Sequence, residues 1–322
     1  MKAIVQRRFG SPDVLALEEI DRPVVDETQL LIRIHAASLN AYDWHMLRGK
    51  PYLVRAMAGA RRPKRLVPGV DIAGRVEAVG TGVTRFKPGD EVFGPSNGAF
   101  AEYAAAAEKN YALKPPNVTF EQAAAVPMAG TTALQALRDA GEIEPGQQVL
   151  IIGASGGVGT FAVQLAKALG AVVTGVCSTG NVEQARSIGA DHVIDYTRED
   201  FSRSGLRYDL IAYLAGNRSL SACRRVLNAH GRLVVVGGDL GGDWIGPLIG
   251  MAKPRLASLF RTQKMVSMLA KYRPEDLSFI ADLIAAGRVD PVIDRRYSLA
   301  EVPDALRYIG EGHARGKIII TM

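Results

Sequence analysis

A glycine-rich turn at 153–159 constrains this chain more than any other stretch, because it separates two segments of different periodicity. Before it, residues 149–152 (VLII) form an unbroken apolar run that is typical of a strand buried on both faces. After it, apolar residues recur at helical spacing from Val158 to Leu169. A second apolar run at 171–177 completes a strand, helix, strand unit. This order predicts a doubly wound, parallel-sheet nucleotide fold.

The glycines of this turn have the spacing GxxGxxG, which suits a phosphate site. Glycine lets the backbone turn tightly and lets a phosphate approach the N–H groups at the positive end of a helix. The alternative is a tight turn without a ligand, but the strand and the helix that the motif requires are both present. We therefore predict that a dinucleotide pyrophosphate is bound by Gly153, Ser155, Gly156, Gly157, Val158 and Gly159.

Length and composition indicate an ordinary globular protein. A chain of 322 residues suits about two domains. Hydrophobic residues make up 48% and charged residues 22%, which excludes disordered and fibrous classes. No apolar run approaches the roughly 18 residues that a membrane span needs, and the first residues lack the apolar core of a signal peptide. We expect a cytoplasmic protein without a membrane span.

The formal net charge is +6, and the densest group of basic residues lies at 55–65. No nucleic-acid motif accompanies it, so we expect a solvated loop and no nucleic-acid partner, with attraction of anions as the alternative. The two cysteines, Cys177 and Cys223, are too few for a disulfide framework or a four-cysteine zinc site. Both are predicted to be buried, reduced thiols.

The chain changes character along its length. In the first hundred residues, short apolar runs punctuated by Gly and Pro predict an irregular β-barrel, with runs at 2–5, 30–34, 70–79 and 91–93. Residues 119–140 read as a helix capped by Thr119 and broken at Pro127. Beyond the glycine-rich unit we predict helices at 181–188, 218–228 and 275–287, strands at 192–195, 209–213, 232–238 and 317–321, and a loop plus helix at 241–266.

Over essentially its whole length the chain resembles the medium-chain dehydrogenase/reductase superfamily, in its zinc-independent, quinone-oxidoreductase-like branch. The resemblance rests on the glycine-rich unit together with AASLNAYDWHMLRG (36–49), PGVDIAGRVEAVG (68–80), FKPGDEVFG (86–94), GAFAEYA (98–104), AGTTALQAL (129–137) and GADHVIDY (189–196). It implies an α/β protein in which a GroES-like, β-rich catalytic domain (1–120 and 268–322) encloses a Rossmann domain (121–267). It also implies an active site in the cleft between the domains and a homodimer formed by extending the Rossmann sheet.

Zinc-dependent members of the superfamily carry a cysteine where this chain has Asn40, and Gly-His-Glu where it has Gly-Val-Asp at 69–71. The thiolate and imidazole ligands that a catalytic zinc prefers are therefore missing, and we predict no metal site. His45 with Asp43 and the aspartate of 69–71 would make a poor ligand set. His35 lies in an alternating strand and is expected to be structural.

The choice of cofactor depends on the loop after the second strand of the nucleotide fold. An acid there would repel a 2′-phosphate, and none occurs before Glu183, which favours NADPH over NADH. In the family, Ser178 and Tyr196 match positions that contact this phosphate. The family's basic residue is not retained, since Asn181 takes one of the places, and Arg198 is a possible substitute.

A zinc-free site lacks the Lewis acid that would polarise a simple carbonyl, so we expect hydride transfer to an activated acceptor, a quinone or an α,β-unsaturated ketone (enone). The protein must then position the acceptor and donate hydrogen bonds to its oxygen. Candidate donors are Asn40, Tyr42, Asp43 and His45, the last at a position where many family members carry a tyrosine. By resemblance, the nicotinamide end of the cofactor lies near Thr131, Gly237 and Gly238.

Two other functions fit the same motifs. One is a crystallin-like or redox-sensing protein that binds NADPH with little turnover, and the other is an enoyl reductase of a biosynthetic pathway. The loops at 50–62 and 241–262 are expected to set the substrate, and their residues do not reveal it.

Overall fold

The computed structural model describes residues 1–216, 219–236 and 262–322. The chain divides into two compact units. The first contains Met1–Thr131, Tyr272–Gly287 and Ile293–Met322, and the second contains Thr132–Lys271 and Arg288–Val292. The sequence analysis predicts boundaries after 120 and 267, whereas the units change after 131 and 271 and residues 288–292 return to the second unit. The helical residues that follow 120 therefore belong to the first unit.

The first unit is rich in β-structure. Its described residues form a two-stranded sheet, β1–β2, and a seven-stranded sheet in the order β14-β15-β3-β4-β5-β7, with β6 also paired to β3. The strands are β1 (Lys2–Gln6), β2 (Leu15–Glu19), β3 (Gln29–Leu39), β4 (Asp71–Val79), β5 (Glu91–Pro95), β6 (Tyr103–Ala107), β7 (Ala112–Leu113), β14 (Ile293–Ser298) and β15 (Lys317–Thr321). The last strand runs antiparallel to β3, with Ile318 opposite Leu39.

Alternation along β3 explains how this sheet forms its core. Leu30, Ile32 and Ile34 are buried, whereas Arg33 and His35, which alternate with them, are exposed. The buried side chains join a cluster with residues from other strands and from the last helix of the unit, including Ile4, Ile72, Val302 and Ile320. Each such burial stabilises the fold by about 1.5–3 kcal/mol.

The helices of the first unit are short. They are α1 (Ala41–Arg48), α2 (Val54–Ala58), α3 (Phe120–Ala125), α4 (Pro127–Gln135, which crosses into the second unit), α8 (Pro274–Ala285) and α9 (Val302–Gly310). The predicted cap is confirmed, since the Thr119 hydroxyl accepts the Gln122 N–H at 3.1 Å, and the helix is interrupted before Pro127. The sequence analysis missed α1, because its eight residues carry no clear apolar stripe.

The second unit has the predicted doubly wound sheet. Its described strands are all parallel and lie in the order β10-β9-β8-β11-β12-β13. They are β8 (Gln148–Ile152), β9 (Val172–Cys177), β10 (His192–Asp195), β11 (Tyr208–Tyr213), β12 (Leu227–Val236) and β13 (Lys264–Met268). The connecting helices are α5 (Gly157–Ala168), α6 (Val182–Ser187) and α7 (Leu220–Arg225). This is the strand order of a Rossmann fold.

Two predicted elements of this unit need correction. The helix predicted at 218–228 ends at Arg225, because Leu227 already pairs with Tyr208 in the sheet. The loop plus helix predicted at 241–266 is wrong at its end, where residues 264–268 form β13. This five-residue strand buries only Met265, which leaves too weak an apolar signal to identify it. The rest of that prediction lies outside the described residues.

Cys177 and Cys223 are free and buried, as predicted. Burial raises the pKa of Cys177 to about 11 and that of Cys223 to about 12, so both thiols stay protonated at neutral pH. No helix within the described ranges combines the length and the apolar character that crossing a bilayer requires.

Candidate functional site

The glycine-rich turn joins β8 to α5 in the second unit. Gly153 has a φ of +90°, a conformation that costs a residue with a Cβ atom. A Cβ atom at Gly159 would lie 2.0 Å from the carbonyl oxygen of Gly153, so α5 can approach the turn this closely only with glycine there. Both residues therefore shape the turn.

Gly156, at the N-cap of α5, has a different role. A Cβ atom there would meet only the Gly153 oxygen, at 3.7 Å, and otherwise open space. Ser155, Gly157 and Val158 are likewise only partly buried. The first N–H groups of a helix have no partner within the helix, and they carry the positive end of its dipole. The turn therefore leaves an open, donor-rich face that fits a pyrophosphate.

A side-chain amide connects this turn to the end of β9. The Asn181 Nδ2 donates hydrogen bonds to the hydroxyls of Ser155 and Ser178, each at 3.1 Å. Its Oδ1 is buried and accepts no hydrogen bond from any described residue. The structure thus brings three predicted cofactor residues together and leaves a buried acceptor among them. A ligand hydroxyl would satisfy that acceptor.

The sequence analysis missed Asp195, at the end of β10 and opposite Cys177 in the sheet. Its carboxylate accepts the hydroxyls of Thr179 at 2.6 Å and Thr197 at 2.7 Å. These hydrogen bonds, that of Thr179 foremost, lower the pKa of Asp195 and keep it ionised. Arg198 lies 4.0 Å from it. An acid is therefore close to the cofactor loop, but it lies at the end of β10 and not at the end of β9. The usual spacing of this acid, about 20 residues after the glycines, therefore could not identify it.

Tyr196 is half exposed and follows Asp195 directly. Its backbone N–H donates to the Cys177 carbonyl, so it lies beside the end of β9, next to Ser178. Gly237 and Gly238, predicted to meet the nicotinamide carboxamide, lie outside the described residues.

The first unit contains a buried polar cluster around Asn40. The Asn40 Nδ2 donates to Asp71 Oδ2 at 2.9 Å, and its Oδ1 accepts from Lys317 Nζ at 2.6 Å. Lys317 also donates to the Leu39 carbonyl at 2.9 Å, and its Nζ lies 3.8 Å from Asp71 Oδ2. The backbone N–H of Met128 donates to the same carboxylate oxygen at 3.1 Å. Both atoms of the Asn40 amide are thereby fixed in orientation.

Asp71 and Lys317 are almost completely buried. Burial raises the pKa of Asp71 and lowers that of Lys317, and the attraction between them opposes both changes. Asp71 Oδ1 accepts no hydrogen bond from the described part of the chain. The sequence analysis did not identify Lys317. The available signal was a charged residue opening the apolar strand KIIIT, which needs a buried partner.

Asp43 belongs to the same cluster and helps to begin α1. Its Oδ2 accepts the Asn40 N–H at 2.8 Å in a capping box, and its side chain is buried. The pKa of Asp43 is raised to about 7, mainly by burial and also by the Asp71 charge, against the hydrogen bonds from Asn40 and the Lys317 charge, which lower it. The predicted role of Asp43 as a donor to substrate therefore competes with its role in positioning Asn40.

We expect the stability of the wild type, relative to Asp43→Asn, to fall as the pH rises. The folded pKa lies above the ordinary value of 3.8, so ionisation favours the unfolded chain between about pH 4 and about pH 7. The difference should reach about 4 kcal/mol at pH 8. Urea unfolding across this range measures it, with the exposed Asp21→Asn as control. A difference that does not change with pH would contradict this account of Asp43.

Tyr42 and His45 lie on α1, three residues apart. Burial raises the pKa of Tyr42, so its hydroxyl remains a hydrogen-bond donor at neutral pH. The His45 ring is half-buried, and its Nδ1 lies 3.1 Å from the Lys50 carbonyl. A carbonyl can only accept, so Nδ1 carries the proton, and Nε2 of the neutral ring is an acceptor.

The remaining predicted residue, Thr131, is buried in α4, where its hydroxyl donates to the Pro127 carbonyl. His35 is exposed, and its ring stacks on Phe120 with centroids 4.3 Å apart. Within the described ranges, no three side chains of His, Cys, Asp or Glu converge as metal ligands would.

Comparisons with known proteins agree with these features. Residues 26–117 match the family described as alcohol dehydrogenase GroES-like domain, and residues 188–320 match that described as zinc-binding dehydrogenase. The chloroplastic quinone-oxidoreductase QR1 of Triphysaria versicolor is 33% identical, over 99% of this chain and 98% of its own length. The chain belongs to the medium-chain dehydrogenase/reductase superfamily. The predicted quinone-oxidoreductase-like branch is confirmed as well.

One further relative and one solved structure are also similar to this chain over its length. The 2-methylene-furan-3-one reductase of Solanum lycopersicum is 36% identical over 99% of this chain and 79% of its own. The solved structure of the quinone oxidoreductase from Coxiella burnetii superposes with a TM-score of 0.89 at 30% identity, over 100% of this chain and 99% of that one. The predicted α/β fold, with a GroES-like part and a Rossmann part, is thus confirmed.

Proposed function

We propose that this oxidoreductase reduces quinones or enones with NADPH and without zinc. The fixed Asn40 amide is the observation that carries the proposal. At the position where zinc-dependent members of the superfamily have a cysteine ligand, this chain has an amide held by Lys317 and Asp71. An amide oxygen occupied by an ammonium is not available to a metal, whereas the amide nitrogen keeps one N–H for a substrate oxygen. The names of the relatives, a quinone oxidoreductase and a reductase of an enone, support the same chemistry.

When bound, the reduced nicotinamide supplies a hydride to the β-carbon of the enone or to the quinone, and a proton from water or a side chain completes the reduction. The residues of this chain contribute orientation and charge stabilisation. The free N–H of Asn40 and the Tyr42 hydroxyl are donors suited to the oxygen on which negative charge develops. Asp71 and Lys317 hold Asn40 in place and are positioning residues. In the second unit, the open face at Gly156 and the side chains of Asn181 and Ser178 would hold the nucleotide.

Turnover is the direct test of the proposal. NADPH consumption should be followed by absorbance against a panel of quinones and enones, beside equilibrium binding of NADPH in the absence of an acceptor. We expect tight binding and turnover with at least one acceptor class. Binding without turnover across the panel would overturn the proposal in favour of a protein that only binds the nucleotide.

Replacing His45 with alanine is expected to lower kcat on an enone by about 10²-fold and to leave NADPH affinity nearly intact. The hydrogen bond from Nδ1 to the Lys50 carbonyl fixes the orientation of the ring. Nε2 is then the ring atom that donates a proton to the substrate. His35→Ala is the matched control, because that ring stacks on Phe120 and no role in the reaction is assigned to it. An unchanged kcat in His45→Ala would remove His45 from the mechanism.

We propose a preference for NADPH over NADH of about tenfold in KM, equivalent to about 1.4 kcal/mol. The loop after β9 contains no acid before Glu183, Tyr196 is exposed, and Arg198 has a largely exposed guanidinium. The carboxylate of Asp195, beside this loop, is already occupied by two threonine hydroxyls. Competing KM measurements test this directly, and a lower KM for NADH would contradict it.

A variant pair identifies the source of the preference. Arg198→Gln should reduce the NADPH preference, because it removes a positive charge next to Asp195, whose carboxylate binds the loop residue Thr179. Arg186→Gln is the control, since its guanidinium already pairs with Glu183 at 2.7 Å. Equal effects of the two variants would show that Arg198 has no specific role.

The proposal includes a homodimer, as the family resemblance implies, and cytoplasmic location, although the matched plant relative is named chloroplastic. By the same resemblance, strand 232–238 and the loop after it are the places where such a contact is expected. In the described part of the sheet β12 lies between β11 and β13, so the edge on the β12 side is β13. Sheet extension would therefore use Lys264–Met268.

A further inference from the structure

The 27 residues between Asp43 and Asp71 contain no acid. This basic segment, residues 44–70, carries seven cations: Arg48, Lys50, Arg55, Arg61, Arg62, Lys64 and Arg65. It follows Asp43 directly on α1 and contains one of the two loops expected to set the substrate. We therefore expect its charge to act on the substrate.

Several cations elsewhere on the first unit have acidic partners. Arg75 pairs with Glu91 at 2.9 Å, Arg22 with Glu77 at 3.2 Å, and Arg296 with Glu121 at 2.8 Å. The basic segment differs, because Arg61, Arg62, Lys64 and Arg65 are exposed and pair with no acid of the described residues. Unpaired cations at this density repel each other and are stabilised by an anion from outside the chain.

These cations surround a concave surface. Arg61, Arg62 and Lys64 line an open cavity of about 800 Å³, together with Arg7, Gly59 and Leu66. Concave surfaces lined by one sign of charge focus the potential and concentrate ions of the opposite sign.

The basic segment also reaches the proposed hydrogen-bond donors. The Arg65 guanidinium is close enough to Tyr42 to oppose the rise in pKa that burial causes there. Tyr42 adjoins Asp43 on α1, and the N-cap of this helix is Asn40. The unpaired positive charge of residues 61–65 therefore has Arg65 near the proposed donor Tyr42.

We propose that the acceptor reduced by this protein carries an anionic group, such as a carboxylate, phosphate or sulfonate, which the basic segment attracts and holds. This inference rests on the proposed function, since it names the class of acceptor for that reaction. Attraction of this kind raises the association rate of a charged substrate by roughly 10–10³-fold and weakens as salt is added. A neutral acceptor gains nothing from it.

The test compares an ortho-naphthoquinone with its ring sulfonate at saturating NADPH. The quantity measured is selectivity, the ratio of kcat/KM for the sulfonate to kcat/KM for the neutral quinone, so reactivity common to all variants cancels. In the variant Arg61→Gln/Arg62→Gln/Lys64→Gln we expect selectivity to fall by about tenfold. In the wild type it should fall similarly between about 0.01 M and about 1 M salt, as the Debye length shrinks from about 30 Å to about 3 Å.

The matched control is Lys2→Gln/Lys87→Gln/Lys109→Gln, which removes the same charge from exposed positions outside the basic segment. It should retain wild-type selectivity. Equal selectivity in the wild type and both variants would overturn the inference. Turnover of the neutral quinone in that case would still support the proposed function. Equal losses in the two variants would also overturn it, because net charge would then be the cause. Failure to reduce either quinone or any other acceptor of the panel would overturn the proposed function, and the inference with it.

Discussion

Stability and nucleotide affinity are expected to fall together when Gly159 is replaced by alanine. The new Cβ atom would lie 2.0 Å from the Gly153 oxygen and 2.8 Å from the Ala154 carbonyl carbon, distances that force α5 away from the turn. Overpacking of this kind costs about 1–3 kcal/mol. The displaced helix also loses the alignment of its first N–H groups, so we expect NADPH to bind more than tenfold more weakly. Urea unfolding and equilibrium titration with NADPH measure the two effects.

Gly156→Ala tests nucleotide binding separately from folding stability. Its Cβ atom would make one ordinary contact, at 3.7 Å, and would project into the open face proposed for the pyrophosphate. We expect a change in stability within about 0.5 kcal/mol together with a clear loss of NADPH affinity. Wild-type affinity in this variant would contradict the proposed position of the pyrophosphate. Wild-type stability in Gly159→Ala would show that the close approach of α5 is not required.

Replacing Lys317 with methionine is expected to destabilise the first unit by about 3–5 kcal/mol, because it leaves the Asp71 charge buried without its partner. The Asn40 oxygen would lose its 2.6 Å hydrogen bond as well. The unpaired Asp71 would then have a higher folded pKa, and its ionisation would favour the unfolded chain. The stability of the variant should therefore recover as the pH falls towards the unfolded pKa of the carboxyl, and urea unfolding at several pH values measures this.

The double variant Lys317→Met/Asp71→Asn tests whether charge is the cause. With both members of the buried pair neutral, it should be more stable than Lys317→Met alone, since neutral replacement of a buried pair is tolerated better than removal of one partner. Lys109→Met, at an exposed position, serves as the control and should change stability by less than about 0.5 kcal/mol. A double variant no more stable than Lys317→Met would show that packing of the lysine stem outweighs its charge.

Local patterns predicted the second unit well, because each strand, turn and helix there is contiguous in sequence. The change of period at 153–159 identified β8 and α5, and the glycine spacing identified the nucleotide turn. The prediction failed where an element is short or at the sheet edge, as in β13, or where adjacent apolar residues end one element and begin the next, as at Leu227.

The polar cluster of the first unit was only partly predictable. Asn40, Tyr42, Asp43 and His45 lie within one short motif, so the resemblance to a family identified them together. Their organisation was not visible, because the Asn40 amide is fixed by Asp71 and by a lysine distant in sequence. Contacts between residues so distant in sequence produce no periodic pattern of residues. They become visible only when the structure shows which strands pair.

The hydrogen bond from Lys317 to Asn40 joins residues separated by 277 positions, and the strand that carries the lysine is inserted beside β3. At a synthesis rate of about 5–20 residues per second, Asn40 leaves the ribosome roughly 15–55 s before its partner. The intervening second unit, with its contiguous strands, has time to fold first. During that interval the sheet of the first unit has an unpaired edge at β3 next to an unneutralised Asp71. The nascent chain is therefore most exposed to misassociation at the very place where the mature protein is most completely buried.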